Sequence, residues 1–400
     1  MKKGWEYKEL GEVAKICGGK RLPKGCKLQS EPTKHKYIRV ADFLDNGTVC
    51  KDDIQYISDD IFNQIKRYTI SSADVYISIA GTIGKSGIVP DELNGANLTE
   101  NACKLVLNKE LYKRFVYLVT ISPFFKEQIN TLTKKSAQPK LALTRLATVN
   151  VPVPPLSEQK EIVEYLDSSF AKIDKLKENA AKNLEEAKAL FQSALKDALE
   201  PKEGWEEKTM DEIVDINTPI SYGIVQPGDD VPNGIPVVRP VDLTAKNISL
   251  NENIKRTAKE NSESYKRTIL NGKEILMCVR GTTGIVSLTD VTLKNCNVTR
   301  GIVPLKITDE TLRLFVYYTI IAPIVSGYIQ HNTRGAALKQ INIADVKKIP
   351  VALPSPQEQQ SIVSFLDSLN EKVNTLQQNY SRICDECDAL KQAILRQVFE

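Results

Sequence analysis

Hydrophobic positions along this chain follow two rhythms that alternate twice. From residue 1 to about 156, and again from 201 to about 356, short apolar runs are broken every few residues by Gly, Pro, Asn and Asp. Runs rich in β-branched and aromatic residues between turn formers predict strands. Tyr37-Ile38-Arg39-Val40, Val75-Tyr76-Ile77-Ser78-Ile79 and Val237-Val238-Arg239 are the clearest. Helices are expected around Leu111 to Leu132 and Leu312 to Ile329. This mixture predicts an α+β domain with a mixed, curved or barrel-like sheet.

Proline-rich segments close both stretches, Val151-Pro152-Val153-Pro154-Pro155-Leu156 and Ile349-Pro350-Val351-Ala352-Leu353-Pro354. Proline removes a donor and restricts its predecessor, so extended chain is expected there. Beyond it the apolar period becomes seven. Leu366, Val373, Tyr380, Cys387 and Ile394 form one row, and Ile362, Leu369, Leu376, Ile383 and Leu390 another. In the first copy Leu166, Ile173, Ala180, Ala187 and Ala194 face Ile162, Leu176 and Leu190, with Ser169 and Asn183 as interruptions. Such seams predict long helices that pack together. The simplest arrangement is an antiparallel coiled coil separating two domains. A helix from about Ser157 to Leu199 is roughly 64 Å long at 1.5 Å per residue, close to two turns of B-DNA at ~34 Å each. A ruler for two reading heads and a plain dimerisation coiled coil both fit this period.

The two halves are copies of one unit, displaced by 200 residues. Gly4-Trp5-Glu6 matches Gly204-Trp205-Glu206, Arg39 and Asp42 match Arg239 and Asp242, and Lys66-Arg67 matches Lys266-Arg267. Gly81-Thr82-x-Gly84 matches Gly281-Thr282-x-Gly284, and Glu158-Gln159 with Ile162-Val163 matches Glu358-Gln359 with Ile362-Val363. Solenoid repeats are far shorter, so this is a duplicated domain in which one chain imitates a two-fold dimer. The expected order is a domain at 1–156, a helix at 157–200, a domain at 201–356 and a helix at 357–400.

Charge refines the picture. Residues 1–156 hold 24 basic and 16 acidic residues and 201–356 hold 19 and 17, whereas 157–200 hold 7 and 10 and 357–400 hold 4 and 7. A polyanion would therefore meet the domains and avoid the helices. The start lacks an apolar signal core and no apolar run approaches the ~18 residues of a membrane span, so a cytoplasmic protein is expected. Eight irregularly spaced cysteines make no disulfide framework. Cys384 and Cys387 read as two half-buried thiols on a helix.

Catalytic signals are missing. His35 and His331 are the only histidines, and no GxGxxG, HExxH or Asn/Asp-Pro-Pro-aromatic motif occurs. Gly84-Lys85-Ser86 resembles part of a phosphate loop, but the glycine required five residues before Gly84 is Ile79. The shared Gly-Thr-x-Gly instead suits a strand–turn–strand with glycines at unusual backbone angles. Basic residues concentrate at Lys20, Arg21, Lys24 and Lys27, at Lys134, Lys135 and Lys140, and at Arg280, Arg300, Arg334 and Lys339. Such side chains neutralise phosphates and bind guanine edges, while an amide such as Gln138 suits adenine.

Leu141-x-Leu143-x-x-Leu146 running into Val151-Pro152-Val153-Pro154-Pro155-Leu156-Ser157-Glu158-Gln159-x-x-Ile162-Val163, with its echo Ile341-x-Ile343-x-x-Val346 into Val351-x-x-Pro354-x-x-x-Glu358-Gln359-x-x-Ile362-Val363, resembles specificity subunits of type I restriction-modification systems. The likeness spans essentially the whole chain. Ala352 and Ser355 depart from it where the first copy has prolines. It implies a non-catalytic DNA reader with two target-recognition domains, each binding half of a bipartite, asymmetric target, and two helices as spacer. It further implies double-stranded DNA and two modification (methyltransferase) subunits carrying S-adenosylmethionine as partners, joined in some complexes by two restriction subunits using ATP and Mg. No cofactor is expected on this chain. The first half-site is assigned to Lys20, Arg21, Lys24, Lys134, Lys135, Gln138 and Lys140, the second to Arg280, Arg300, Arg334 and Lys339, with Thr82, Lys85 and Thr282 of the turns beside the duplex. A protein-interaction scaffold that never binds DNA is the competing reading.

Overall fold

The structure, a computed structural model, describes residues 4–133, 139–335 and 338–400. Contacts divide the chain into two compact units, Met1–Ala180 with Ser381–Glu400, and Ala181–Tyr380.

In unit 1 the strand Glu6–Glu9 pairs antiparallel with Asn150–Val153, so both ends of the domain meet where the long helix Leu156–Leu199 begins. A four-stranded sheet runs in the order Ala14–Gly18, Ala102–Leu107, Val75–Ser78, Ser86–Ile88, all antiparallel. A smaller sheet sets His35–Ile38 antiparallel to Gln55–Ile57 and parallel to Asn97–Leu98, which makes the architecture mixed. The core between sheet and helices holds Val75, Ile77, Leu105, Phe115, Leu118 and Phe125. Val163 and Leu166 of the long helix and Leu395, Val398 and Phe399 of the chain's last turns complete it. The rings of Phe115 and Phe399 meet edge-on at 5.6 Å.

Unit 2 repeats these elements with the 200-residue displacement: Glu206–Thr209 pairs with Pro350–Leu353, and a second long helix spans Pro356–Phe399. Its core joins Phe191, Leu195 and Leu199 to Ile362, Val363, Leu366 and Val373. One edge differs. Nothing among the described residues matches the strand Ala14–Gly18; instead Asn247–Ile248 adds in parallel to Val286–Thr289 at the opposite edge.

The expected strands are present with shifted bounds. His35–Ile38 and Ile235–Val238 start two residues early and end before Arg39 and Arg239, which begin 3-10 turns whose Asp42 and Asp242 accept their N–H groups at 2.7 Å, and Val75–Ser78 ends one residue early. Each expected helix in the domains is two helices, Lys113–Ile121 with Pro123–Leu132, and Glu310–Ile321 with Pro323–Asn332. The cause is proline at 123 and 323. Its predecessor Ser122 sits at φ −71°, ψ 153°, outside helical space, and the second pair is bent by 63°. Among the described residues no single helix is long and apolar enough to cross a membrane.

The long helices run antiparallel in unit 1, where Asp174 pairs with Lys391 and Lys177 with Asp388. Only one row of the heptad ladder expected from sequence faces inward, with Leu166, Ile173, Leu366, Val373 and Cys387 buried. Leu166, Ile173, Leu184, Phe191 and Leu195 are buried, while Leu176 and Leu190 are exposed. At ~100° per residue those five lie within about 20° of Leu166. A straight helix drifts ~20° per heptad from a seven-residue repeat, so Leu176 and Leu190 rotate off the seam onto a line with exposed Tyr165. The second helix does the same with Phe365, Leu376 and Leu390. Cys387 is buried and Cys384 half-buried, both as free thiols.

Candidate nucleic-acid interface

The shared motif at each domain–helix junction is structural. In unit 1 the Trp5 indole donates to Glu158 at 2.8 Å. The Gln159 amide donates to the carbonyls of Glu110 and Pro154 and accepts from the Tyr112 N–H, each at 2.8 Å. Gln359 repeats the bond to Pro354 at 2.9 Å. These side chains fix the helix to its domain.

The candidate DNA residues gather elsewhere, on a rim where four loops are stitched by backbone hydrogen bonds. In unit 1 the Lys20 N–H donates to Leu98 O at 2.8 Å, Ile79 N–H to Asn101 O at 2.8 Å, and Leu141 N–H to Ile79 O at 2.9 Å. Ala80 and Lys140 form an antiparallel bridge. Lys20 and Arg21 thus share an edge with Thr82, Lys85 and Lys140, although the sequence spreads them over some 120 positions, and Lys24 follows three residues after Arg21. Lys20, Arg21, Lys24, Thr82 and Lys140 are exposed. Lys134, Lys135 and Gln138 lie outside the described residues.

Unit 2 is assembled the same way. Ile224 N–H donates to Val298 O at 2.8 Å, Arg300 N–H to Ile224 O at 2.8 Å and Gly281 N–H to Lys339 O at 2.8 Å, while Arg334 and Gln340 exchange two bonds of 2.8 Å. Arg280, Thr282, Arg300, Arg334 and Lys339 are thereby brought together. The glycines of both turns have positive φ, +74° and +86° at Gly81 and Gly84 and +90° at Gly281 and Gly284, as the strand–turn–strand reading required.

Electrostatics separates these residues. Arg21 Nε donates to Glu100 at 2.7 Å, and Lys85 lies 2.7 Å from Asp45. Burial pushes the Glu100 carboxyl up, but bonds from Arg21 and Thr99 outweigh it and hold the group below its ordinary range. The Lys85 ammonium lowers Asp45 likewise. Exposed ion pairs of this kind stabilise little because solvent screens them, so a phosphate can displace the carboxylate cheaply. Arg280 is half-buried, and its Nε is buried without a hydrogen-bond partner among the described residues.

Two features escaped the sequence reading. The repeated pair Lys66-Arg67 adjoins the unit 1 rim: Leu98 N–H donates to Tyr68 O at 2.9 Å, and the Lys20 ammonium lies 5.6 Å over the Tyr68 ring. Both residues are exposed, as are Lys266 and Arg267, which line a concavity with Ser221, Tyr222 and Tyr265. Their recurrence in both halves was the available signal. The second feature is a pair of tight glycines. A Cβ on Gly19 would stand 2.0 Å from Thr99 O, and one on Gly223 would stand 2.1 Å from Val298 O. These equivalent sites are 204 positions apart, so the 200-residue register slips locally at the rim. Among the described residues no group of three or more His, Cys, Asp and Glu side chains could hold a metal ion.

The model of the type I restriction modification DNA specificity domain matches twice, at residues 2–186 and 202–383. The chain belongs to this family. Among relatives of the family, the EcoBI specificity subunit of Escherichia coli is 27% identical over 331 residues, covering 76% of this chain and 69% of that protein. Two solved structures share the fold over the full chain. One, from work on complex assembly and conformational transition of the type I R-M system, has a TM-score of 0.77 at 21% identity and covers 98% of its chain. The HsdS subunit from Thermoanaerobacter tengcongensis has a TM-score of 0.58 at 20% identity, with 97% of that chain covered. Specificity subunits are not themselves catalytic, and the two domain matches fall on the two units that carry the rims.

Proposed function

We propose that this chain reads DNA sequence for a type I restriction-modification complex, each unit binding one half of a bipartite, asymmetric target. The observation that carries the reading is a pair of rims assembled by matching backbone bonds but furnished with different side chains, on a chain whose family is defined by DNA specificity. Two matched scaffolds with unequal surfaces suit two unequal half-sites. Lys20, Arg21, Lys24, Thr82, Lys85, Lys134, Lys135, Gln138 and Lys140 serve one, and Arg280, Thr282, Arg300, Arg334 and Lys339 the other. Phosphate contacts set affinity and register; base-edge contacts set sequence.

The modification subunits dock on the long helices in this reading, and S-adenosylmethionine is held by them, as ATP and Mg are by the restriction subunits. Support comes from the exposed apolar lines Tyr165, Leu176, Leu190 and Phe365, Leu376, Leu390, which recur at the same 200-residue displacement. Two equivalent lines suit two equivalent partners. The comparisons lend no support to a scaffold indifferent to DNA.

The test is methylome sequencing of a host without its own modification systems, expressing this chain with its modification subunit. A new methyladenine motif split by a fixed gap is the expected result. A complex that forms and binds S-adenosylmethionine yet marks no motif overturns the reading.

A further inference from the structure

The rims of the two units present opposite chemistry at two matching positions, and the sequence differs in the same sense at a third. Ile224 takes the backbone place of Lys20, each donating its N–H to the equivalent strand residue, Val298 or Leu98. The next residue is therefore Val225 where unit 1 has Arg21. Past the Gly-Thr turn, Ile285 replaces Lys85. Leu338 replaces Gln138, which lies outside the described residues. The three aliphatic side chains are 47%, 41% and 47% exposed in chain order.

Single exposed aliphatics need no explanation. These three sit on loops the backbone ties together. Leu338 precedes Lys339, whose carbonyl accepts from Gly281; Ile285 N–H reaches Thr282 O at 3.5 Å; and Ile224 O, beside Val225, accepts from Arg300. Around them Arg280, Arg300, Arg334 and Lys339 form no ion pair among the described residues, whereas Arg21 and Lys85 of unit 1 are both matched by carboxylates. Cations without an ion pair among the described residues, on loops linked to those of these aliphatic groups, complement a polyanion that displays small apolar groups. The major groove of DNA offers one such group, the C5 methyl of thymine, which apolar side chains distinguish from cytosine.

We propose that unit 2 reads its half-site in the major groove by packing Val225, Ile285 and Leu338 against thymine methyl groups, while unit 1 reads with polar side chains. This rests on the DNA-reading role above and adds the chemistry of recognition. Arg280, Arg300, Arg334 and Lys339 hold the flanking phosphates and base edges.

The experiment uses the complex assembled with its modification subunits and the motif found by methylome sequencing. Each thymine of the second half-site, apart from those facing the methylated adenine, is replaced in turn by deoxyuridine, which pairs identically but lacks the methyl. At least one replacement is expected to weaken binding about fourfold, the factor for losing the burial of one methyl-sized group. Replacements in the first half-site leave binding nearly unchanged. Val225→Ser, Ile285→Ser or Leu338→Ser removes the discrimination between thymine and deoxyuridine at one position. A second half-site without such a thymine, deoxyuridine tolerated throughout, or discrimination surviving in all three serine variants overturns the inference. No split motif at all removes the DNA-reading role itself, and the inference with it.

Discussion

Asp167, on the first long helix, receives a forked pair of hydrogen bonds from Arg114, Nη2 to Oδ1 at 2.7 Å and Nε to Oδ2 at 3.1 Å. Asp367, its counterpart on the second helix, is held by Lys246 and by the Tyr318 hydroxyl. The same acid, one repeat apart, thus anchors its domain through cations from different elements, since position 314 is leucine and position 46 asparagine. Burial first, then the bond to Asp367, raises the Tyr318 phenol far above its ordinary value, so it stays protonated and donates.

Removing these anchors should cost unequal amounts. Arg114 and Asp167 are each more than a third exposed, so Asp167→Asn should cost about 1 kcal/mol or less. Lys246 is 18% exposed, and Asp367→Ala leaves the Tyr318 hydroxyl without its acceptor and Lys246 with that hydroxyl alone, at about 2 kcal/mol. Urea midpoints of the two variants check the order.

Gln159 makes three bonds that no water replaces easily, because the side chain is fully buried. Gln159→Ala should lower stability by about 2–3 kcal/mol through unsatisfied groups of Tyr112, Glu110 and Pro154. Replacing the neighbouring exposed Lys160 by Ala should change stability by less than ~0.5 kcal/mol. Calorimetry of both variants separates a general helix effect from the loss of this junction.

At the rim, Arg280→Ala should relax the motif at one base position, by about 1–3 kcal/mol. Lys140→Ala should instead weaken binding to all sequences and reduce the log–log salt slope by about 1. Fluorescence titrations of the assembled complex at several salt concentrations distinguish the two. A uniform loss from Arg280→Ala would reassign that residue to the backbone.

The helix lines give a prediction about stoichiometry. Leu176→Glu with Leu190→Glu alters two exposed positions of one line and leaves the other line intact, so folding should survive. Native mass spectrometry should then show one modification subunit lost per complex while the other remains. Full retention of both would move the docking site away from this face.

Gly223→Ala should damage the second half-site alone, since its Cβ would overlap Val298 O and force the rim loop apart. Methylome sequencing of this variant should show a degraded second half beside an intact first half.

Much of this was legible in one dimension. The repetition at Trp5 and Trp205, Gln159 and Gln359, and the Gly-Thr turns sets domain number and order, because residues that hold one junction must recur to hold its copy. Proline at the domain ends and apolar periodicity beyond them located both long helices within a residue or two. Three things needed tertiary structure. Pro123 broke a helix that apolar pattern alone made continuous. The seam kept one heptad row, while drift of the helical period left Leu176, Leu190, Leu376 and Leu390 of the other row outside it. The rim joins Lys20, Lys85 and Lys140 through backbone bonds between loops, and such bonds leave no mark on side-chain chemistry. Sequence determined which side chains the protein owns and how often each unit occurs; only the folded backbone decided which of them stand together.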